Sequence, residues 1–159
     1  MIKKKQIQIE LEEYNSIEDL SAQEQELVKK AKEIALQAYA PHSKFHVGAT
    51  LLLENGEIVS GNNQENAAYP SGICAERTAI FYANAQYPDQ AIKTLAVAVY
   101  YNNTYAELPV TPCGACRQVM LEAENRYQTP MRVIMTGEKM VYVANSVKDL
   151  LPLSFDSIE

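Results

Sequence analysis

Apolar and polar residues alternate at the start of the chain, where Ile7, Ile9 and Leu11 are each flanked by polar neighbours. A two-residue period of this kind predicts an exposed edge strand over residues 2 to 12, set within an N-terminal extension of residues 1 to 20. The period then changes. Ser21-Ala22-Gln23-Glu24 reads as a capping box, and the stripe Leu27, Val28, Ala31, Ile34, Ala35 and Ala38 continues it as an amphipathic helix that Pro41 stops. Two strands follow, over 47 to 53 and 57 to 61, separated by the hairpin signal Asn55-Gly56.

In the second half, a helix opening near Cys74 is expected to carry Ala75, Ala79, Phe81 and Tyr82 inward. The unbroken apolar run 95 to 99 predicts a buried strand. A helix opening near Cys113 runs through Val119, Met120, Leu121 and Ala123 towards Tyr127, with strands to follow over 131 to 135 and 140 to 143. Ser146-Val147-Lys148-Asp149 predicts a short capped helix ending at Pro152. This order of elements implies one mixed sheet with helices on both faces, formed by a single domain over residues 21 to 159.

Charge narrows the partners. The net charge is -6 and the sequence pI is near 5.0, which opposes tracking a polyanion along a basic groove, so nucleic acid is not expected. Lys3-Lys4-Lys5 reads as a solvated tail. No apolar run approaches the ~20 residues of a membrane span and no signal-peptide core follows Met1, so the expectation is a cytoplasmic protein.

The cysteines carry the chemistry. There are three, Cys74, Cys113 and Cys116. An odd, clustered set cannot be a disulfide framework, whereas three thiolates plus one open position can hold a catalytic zinc, one per chain. Cys113 and Cys116 are three residues apart after Pro112, which puts them on one face of a first helical turn, and Cys74 also stands where a helix begins. Converging helix N-termini favour thiolates. Three thiolates around a divalent ion leave net negative charge, which Arg77 and Arg117 are placed to offset by donating to the sulfurs. Glu76, two residues beyond Cys74, is positioned to move protons for a metal-activated water. A structural zinc closed by His42 or His46 and a redox CxxC dithiol are the other readings of the cysteines; the second leaves Cys74 and Glu76 unexplained.

Four stretches in order, 43 to 49 (SKFHVGA), 61 to 70 (GNNQENAAYP), 72 to 79 (GICAERTA) and 112 to 118 (PCGACRQ), resemble the cytidine deaminases that act on free nucleosides. The CxE and PCxxC pair resembles the signature of zinc deaminases in which cysteine replaces the histidine ligand. The resemblance implies an α/β fold, a three-layer α/β/α sandwich with a five-stranded mixed sheet. It implies zinc-dependent hydrolysis of cytidine and deoxycytidine to uridine and deoxyuridine with release of ammonia, a step of pyrimidine salvage. In that family's terms Glu76 is catalytic, Asn63 and Glu65 bind the ribose, Phe45 stacks against the pyrimidine and the backbone at Ala75 reads the base edge. A homotetramer is implied, with Ala67 and Tyr69 approaching a neighbour's ligand and Phe155 closing a neighbour's pocket. Gln64, His42 and residues 1 to 20 depart from the family pattern. The rival functions are deamination of an aminoacylnucleoside such as blasticidin S, deamination of a nucleotide or polynucleotide, which a buried carboxylate beside the sugar would repel, and a zinc-stabilised binding module without turnover.

Overall fold

The computed structural model describes residues 1–156. Its strands are β1 (Glu12–Tyr14), β2 (His46–Leu53), β3 (Ile58–Asn62), β4 (Ile92–Tyr101), β5 (Thr104–Tyr105), β6 (Arg132–Thr136) and β7 (Val141–Ala144). The helices are α1 (Ala22–Ala35), α2 (Ala75–Gln86) and α3 (Gly114–Tyr127). They form one seven-stranded sheet in the order β1-β7-β6-β4-β2-β3, with β5 added to β4. Among the described strands only β4 and β6 run parallel, joined across α3; every other pair of them is antiparallel. The expected five strands are the run from β3 to β7, and β1 and β5 are short additions to it.

Alternation along the strands divides the core into two layers, as a pleated sheet requires. Leu95 and Val97 of β4, with Val133 and Met135 of β6, pack beneath α2 and α3. Ala96, Ala98 and Ile134 face the opposite way, onto Leu27, Val28 and Ala31 of α1. Two glycines set how closely the helices approach. A Cβ at Gly48 would lie 2.0 Å from the Ala31 carbonyl oxygen, and one at Gly61 would lie 2.6 Å from the Ala79 nitrogen. The second contact seats α2 against β3 and so fixes the height of the residues at its N-terminus.

Several expectations need correction. No strand forms over 2 to 12: β1 begins at Glu12, pairing with Val143, and Ile7, Ile9 and Leu11 remain 44%, 48% and 40% exposed. The reason lies in the partner. β7 ends at Ala144, opposite position 11, and the chain turns into a 3-10 turn at Val147–Asp149, so residues before 11 have no ladder left to extend. That 3-10 turn, capped by Ser146, is also all that forms of the expected final helix. On α2 the buried face is Ala75, Ala79, Ile80 and Ala83, which points Phe81 and Tyr82 to solvent. α1 ends at Ala35, before Pro41. Asn55-Gly56 does turn the chain, but in a three-residue loop with Gly56 left-handed at φ +88°. The tight two-residue turn, with both central φ angles positive, is Asn102-Asn103 between β4 and β5.

Candidate active site

Cys74 is the N-cap of α2 and Cys113 the N-cap of α3. Neither side chain caps its own helix, which leaves both sulfurs free to point between the two helix ends. Cys116 lies one turn into α3 and is fully buried. Sγ of Cys113 is 3.9 Å from Sγ of Cys74 and 3.4 Å from Sγ of Cys116, and all three lie within 4.8 Å of one another. Ligands at ~2.3 Å from a tetrahedral centre stand ~3.8 Å apart, so this spacing suits three sulfurs closing on one zinc ion per chain. Among the described residues it is the one group of three or more such side chains that converges this way, and it includes neither His42 nor His46. The reading with a histidine as fourth ligand therefore has no geometry behind it.

The electrostatics of the triad point the same way. The Cys74 thiol is pushed down to about 5, first by the hydrogen bond from Cys116, then by Arg77 and Cys113 acting against burial. Cys116 is pushed up, first by that same bond to Cys74, then by burial and the charge of Glu76. Crowded thiols share protons in this way because three adjacent negative charges need a cation to balance them. Arg77 Nη2 donates to Cys74 Sγ at 3.6 Å, as expected. Arg117 does not reach the sulfurs. Its guanidinium donates to Pro112 O at 2.8 Å, Leu150 O at 2.8 Å and Thr111 Oγ1 at 3.0 Å, so it holds the chain entering α3 against the C-terminal turn.

Glu76 stands at the second position of α2, only 4% exposed, where burial pushes its carboxyl above the usual range. It lines a cleft of about 750 Å³ together with Cys74, Cys113 and Arg77. Phe45, Val47, Val97 and Val99 supply an apolar wall, suited to an aromatic ring. Val97 and Val99 alternate into the cleft from β4, yet the sequence showed them only as part of a buried run.

Asn63, Glu65 and Tyr69 also line the cleft. The Asn63 amide is already engaged with the entry to β2: Oδ1 accepts from Val47 N at 2.7 Å and Nδ2 donates to Phe45 O at 2.8 Å. One lone pair and one N–H remain for a ligand. Glu65 is half-buried and still meets solvent, so phosphate repulsion at this point is partly screened. Its carboxylate accepts from His42 N at 2.8 Å and Ser43 N at 3.2 Å, and from the Ser43 hydroxyl, which foremost among these holds it below the usual range. Ser43 is a cleft residue that sequence reading left without a role, although it opens the first matching motif. Tyr69 meets His42 edge to face across 5.7 Å.

Three expected residues lie off the cleft. Ala75 is fully buried with its side chain in the core, so only its backbone could meet a base. Ala67 is exposed and absent from the cleft wall. Phe155 is 68% exposed, and its carbonyl accepts from Gln118 Nε2 at 2.6 Å.

The chain matches the cytidine and deoxycytidylate deaminase zinc-binding region over residues 21–129. It is 44% identical over 131 residues to a cytidine deaminase of Sporosarcina psychrophila, covering 82% of this chain and 90% of that protein. A cytidine deaminase of Halalkalibacterium halodurans is 38% identical over 139 residues, covering 82% and 92%. Among solved structures, the cytidine deaminase from Burkholderia pseudomallei superposes with a TM-score of 0.72 at 38% identity, covering 86% of this chain and all of that one. Matched through its metal-ligand motifs and along nearly the whole length of these relatives, the chain belongs to the cytidine deaminase family.

Proposed function

We propose that this protein hydrolyses the exocyclic amine of cytidine and deoxycytidine, releasing uridine or deoxyuridine and ammonia. The observation that carries the reading is a buried carboxylate, Glu76, in the wall of the same cleft as a converged cysteine triad. Zinc held by Cys74, Cys113 and Cys116 supplies the Lewis acidity that makes a water molecule nucleophilic near neutral pH. Arg77 stabilises the negative charge of the sulfurs from one side. Glu76 takes a first proton from the attacking water and gives it to the ring nitrogen beside the attacked carbon, then takes the second from the hydroxyl now on that carbon and gives it to the amine as the carbonyl forms and the carbon–nitrogen bond breaks. Water enters, ammonia leaves, and the carboxylate ends as it began.

The remaining contacts follow from the cleft's chemistry. Phe45 and the valines take the base and exclude water around it, while Glu65 and the free valences of Asn63 bind sugar hydroxyls. The backbone at Ala75, the first residue of α2, reads the base edge. Phe155 and Ala67 lie off their own chain's cleft, which supports their acting on a neighbouring chain's site in a homotetramer, and the exposed Tyr69 in the cleft wall is open to a neighbour's ligand as well. The family match begins at residue 21, which supports an extension over 1–20 and a catalytic domain over 21–159. Among the described residues no helix is long and apolar enough to cross a membrane. A thiol-dependent centre suits the reducing cytoplasm.

Ammonia release from cytidine, deoxycytidine, CMP and blasticidin S, with and without a zinc chelator, tests the reading. Turnover of the two nucleosides that the chelator abolishes is expected. Turnover of blasticidin S alone, or of CMP alone, would reassign the substrate, and no turnover of any would leave a binding module.

A further inference from the structure

We infer that Ser43 is a positioning residue that locks the Glu65 carboxylate in register with Phe45, and so sets the spacing between the sugar-binding and base-binding parts of the cleft. The inference rests on the cleft being a nucleoside site. A serine hydroxyl has one proton and two lone pairs. Here the proton goes to Glu65 Oε1, and one lone pair accepts the Phe45 backbone N–H at 3.0 Å. A single oxygen atom of Ser43 therefore ties Phe45, the residue facing the base, to Glu65, the residue facing the sugar, which lies 22 positions beyond Ser43 in the chain.

The geometry gives this bond a purpose that the neighbouring backbone bonds do not serve. His42 N and Ser43 N both donate to Glu65 Oε2. With those alone, the carboxylate is held by one oxygen and can swing about it. The Ser43 hydroxyl adds a donor on the other oxygen and fixes the carboxylate plane, leaving lone pairs of known direction for a sugar hydroxyl. Lys44, between Ser43 and Phe45, has a left-handed backbone at φ +60°, and this turn brings the Phe45 N–H back onto the serine oxygen. The Glu65 backbone is separately fixed, its N–H donating to Tyr39 O at 2.8 Å. Side-chain orientation is thus the one freedom left for Ser43 to remove.

The experiment uses the zinc-loaded protein and compares wild type, Ser43→Ala, Ser43→Thr, Glu65→Gln and the Ser43→Ala/Glu65→Gln double variant. Each is assayed on cytidine and on 2′,3′-dideoxycytidine, which lacks both ring hydroxyls that Glu65 could bind. Ser43→Ala is expected to raise KM for cytidine roughly two- to tenfold with little change in kcat, and to leave KM for the dideoxy substrate near wild type. Threonine, which keeps the hydroxyl, restores KM. In the Glu65→Gln background, Ser43→Ala adds nothing further. Equal loss on both substrates, or full additivity with Glu65→Gln, overturns the inference and leaves Ser43 a loop residue. If Glu65→Gln itself fails to discriminate the substrates, the sugar-binding role of Glu65 falls and this inference with it, while deamination of cytidine by wild type still stands or falls on its own. Should Ser43→Ala not fold, Ser43→Cys keeps the volume, weakens the donor and carries the same comparison.

Discussion

The carboxylate of Glu124 accepts the backbone N–H of Val147 at 2.8 Å, joining the last turns of α3 to a segment 23 residues further along. The same side chain takes the Met131 N–H at 3.0 Å and the Ser146 hydroxyl at 2.6 Å. At 6% exposure it thus satisfies three donors where water cannot replace it. α3 carries Cys113 and Cys116 at its other end, so this clamp holds the metal-bearing helix to the strands β6 and β7 at its far end.

Glu124→Ala should therefore destabilise the fold by about 2–5 kcal/mol, because it strands two buried N–H groups and opens a cavity. Urea unfolding monitored by circular dichroism measures it. A loss below ~0.5 kcal/mol would mean that the donors find other partners.

A second buried-edge network predicts acid sensitivity. Arg132 donates from Nε to Glu24 Oε1 at 2.7 Å, pairs with Glu12 at 3.0 Å and donates to the Tyr14 hydroxyl at 3.1 Å, tying β1 and the capping box of α1 to β6. At Glu24, burial is outweighed by hydrogen bonds from Ser21 and Arg132, and the carboxyl falls below its usual range. Glu12 is lowered too, by Asn145 first and then Tyr14 and Arg132. A carboxylate lowered in the folded state stabilises above its unfolded pKa, about 4.3, and that contribution fades as pH falls through the folded value. Wild type should lose more Tm than Arg132→Met between pH 5 and about pH 3. Parallel curves for the two proteins would show that the network is too solvated to matter.

The parts of this arrangement that sequence revealed are those governed by nearby residues. Ser21 and Glu24 cap each other within four positions, and Cys113 and Cys116 share a helical turn, so local spacing sufficed. What escaped depends on distant partners. The alternation of Ile7, Ile9 and Leu11 promises a strand, yet the length of β7, not the pattern, decides where pairing stops. Phe81 and Tyr82 are apolar enough for a core, but the approach of α2 to Gly61 selects the alanine face. Arg117 is adjacent to a ligand in sequence, and the anchor that turns it away includes Leu150, 33 positions away, beside the nearer Pro112 and Thr111. Ser43 gave no sign of its link to Glu65 because 22 residues separate them.

For the metal, Cys113→Ala should lose zinc and activity together, since two thiolates bind the ion far more weakly than three. Elemental analysis should find one zinc per chain in wild type and close to none in the variant. Active wild-type protein with negligible zinc would overturn the metal reading.

The exposed Phe155 ring and its anchored carbonyl bear on assembly. If the tail completes a neighbouring site, light scattering should give the mass of four chains, and deleting residues 153–159 should raise KM for cytidine. A fully active monomer, or a truncated protein with unchanged kinetics, would remove the trans role.

The decisive substitution is Glu76→Gln. The amide keeps the size and burial of the side chain and removes only its capacity to take up and deliver protons, so the variant should fold, retain zinc and melt near wild type. General acid–base catalysis contributes about 10² to 10⁴ in rate, and here one carboxylate serves successive transfers, so turnover of cytidine should fall at least ~10²-fold with little change in KM. Loss of zinc in the variant would make Glu76 a ligand or a structural residue at the start of α2, and the order of proton transfers above would fail. Retention of both zinc and full rate would require another group in the cleft to carry the proton, and among the described residues Glu76 is the only acidic side chain of the cleft wall that is buried beside the cysteines.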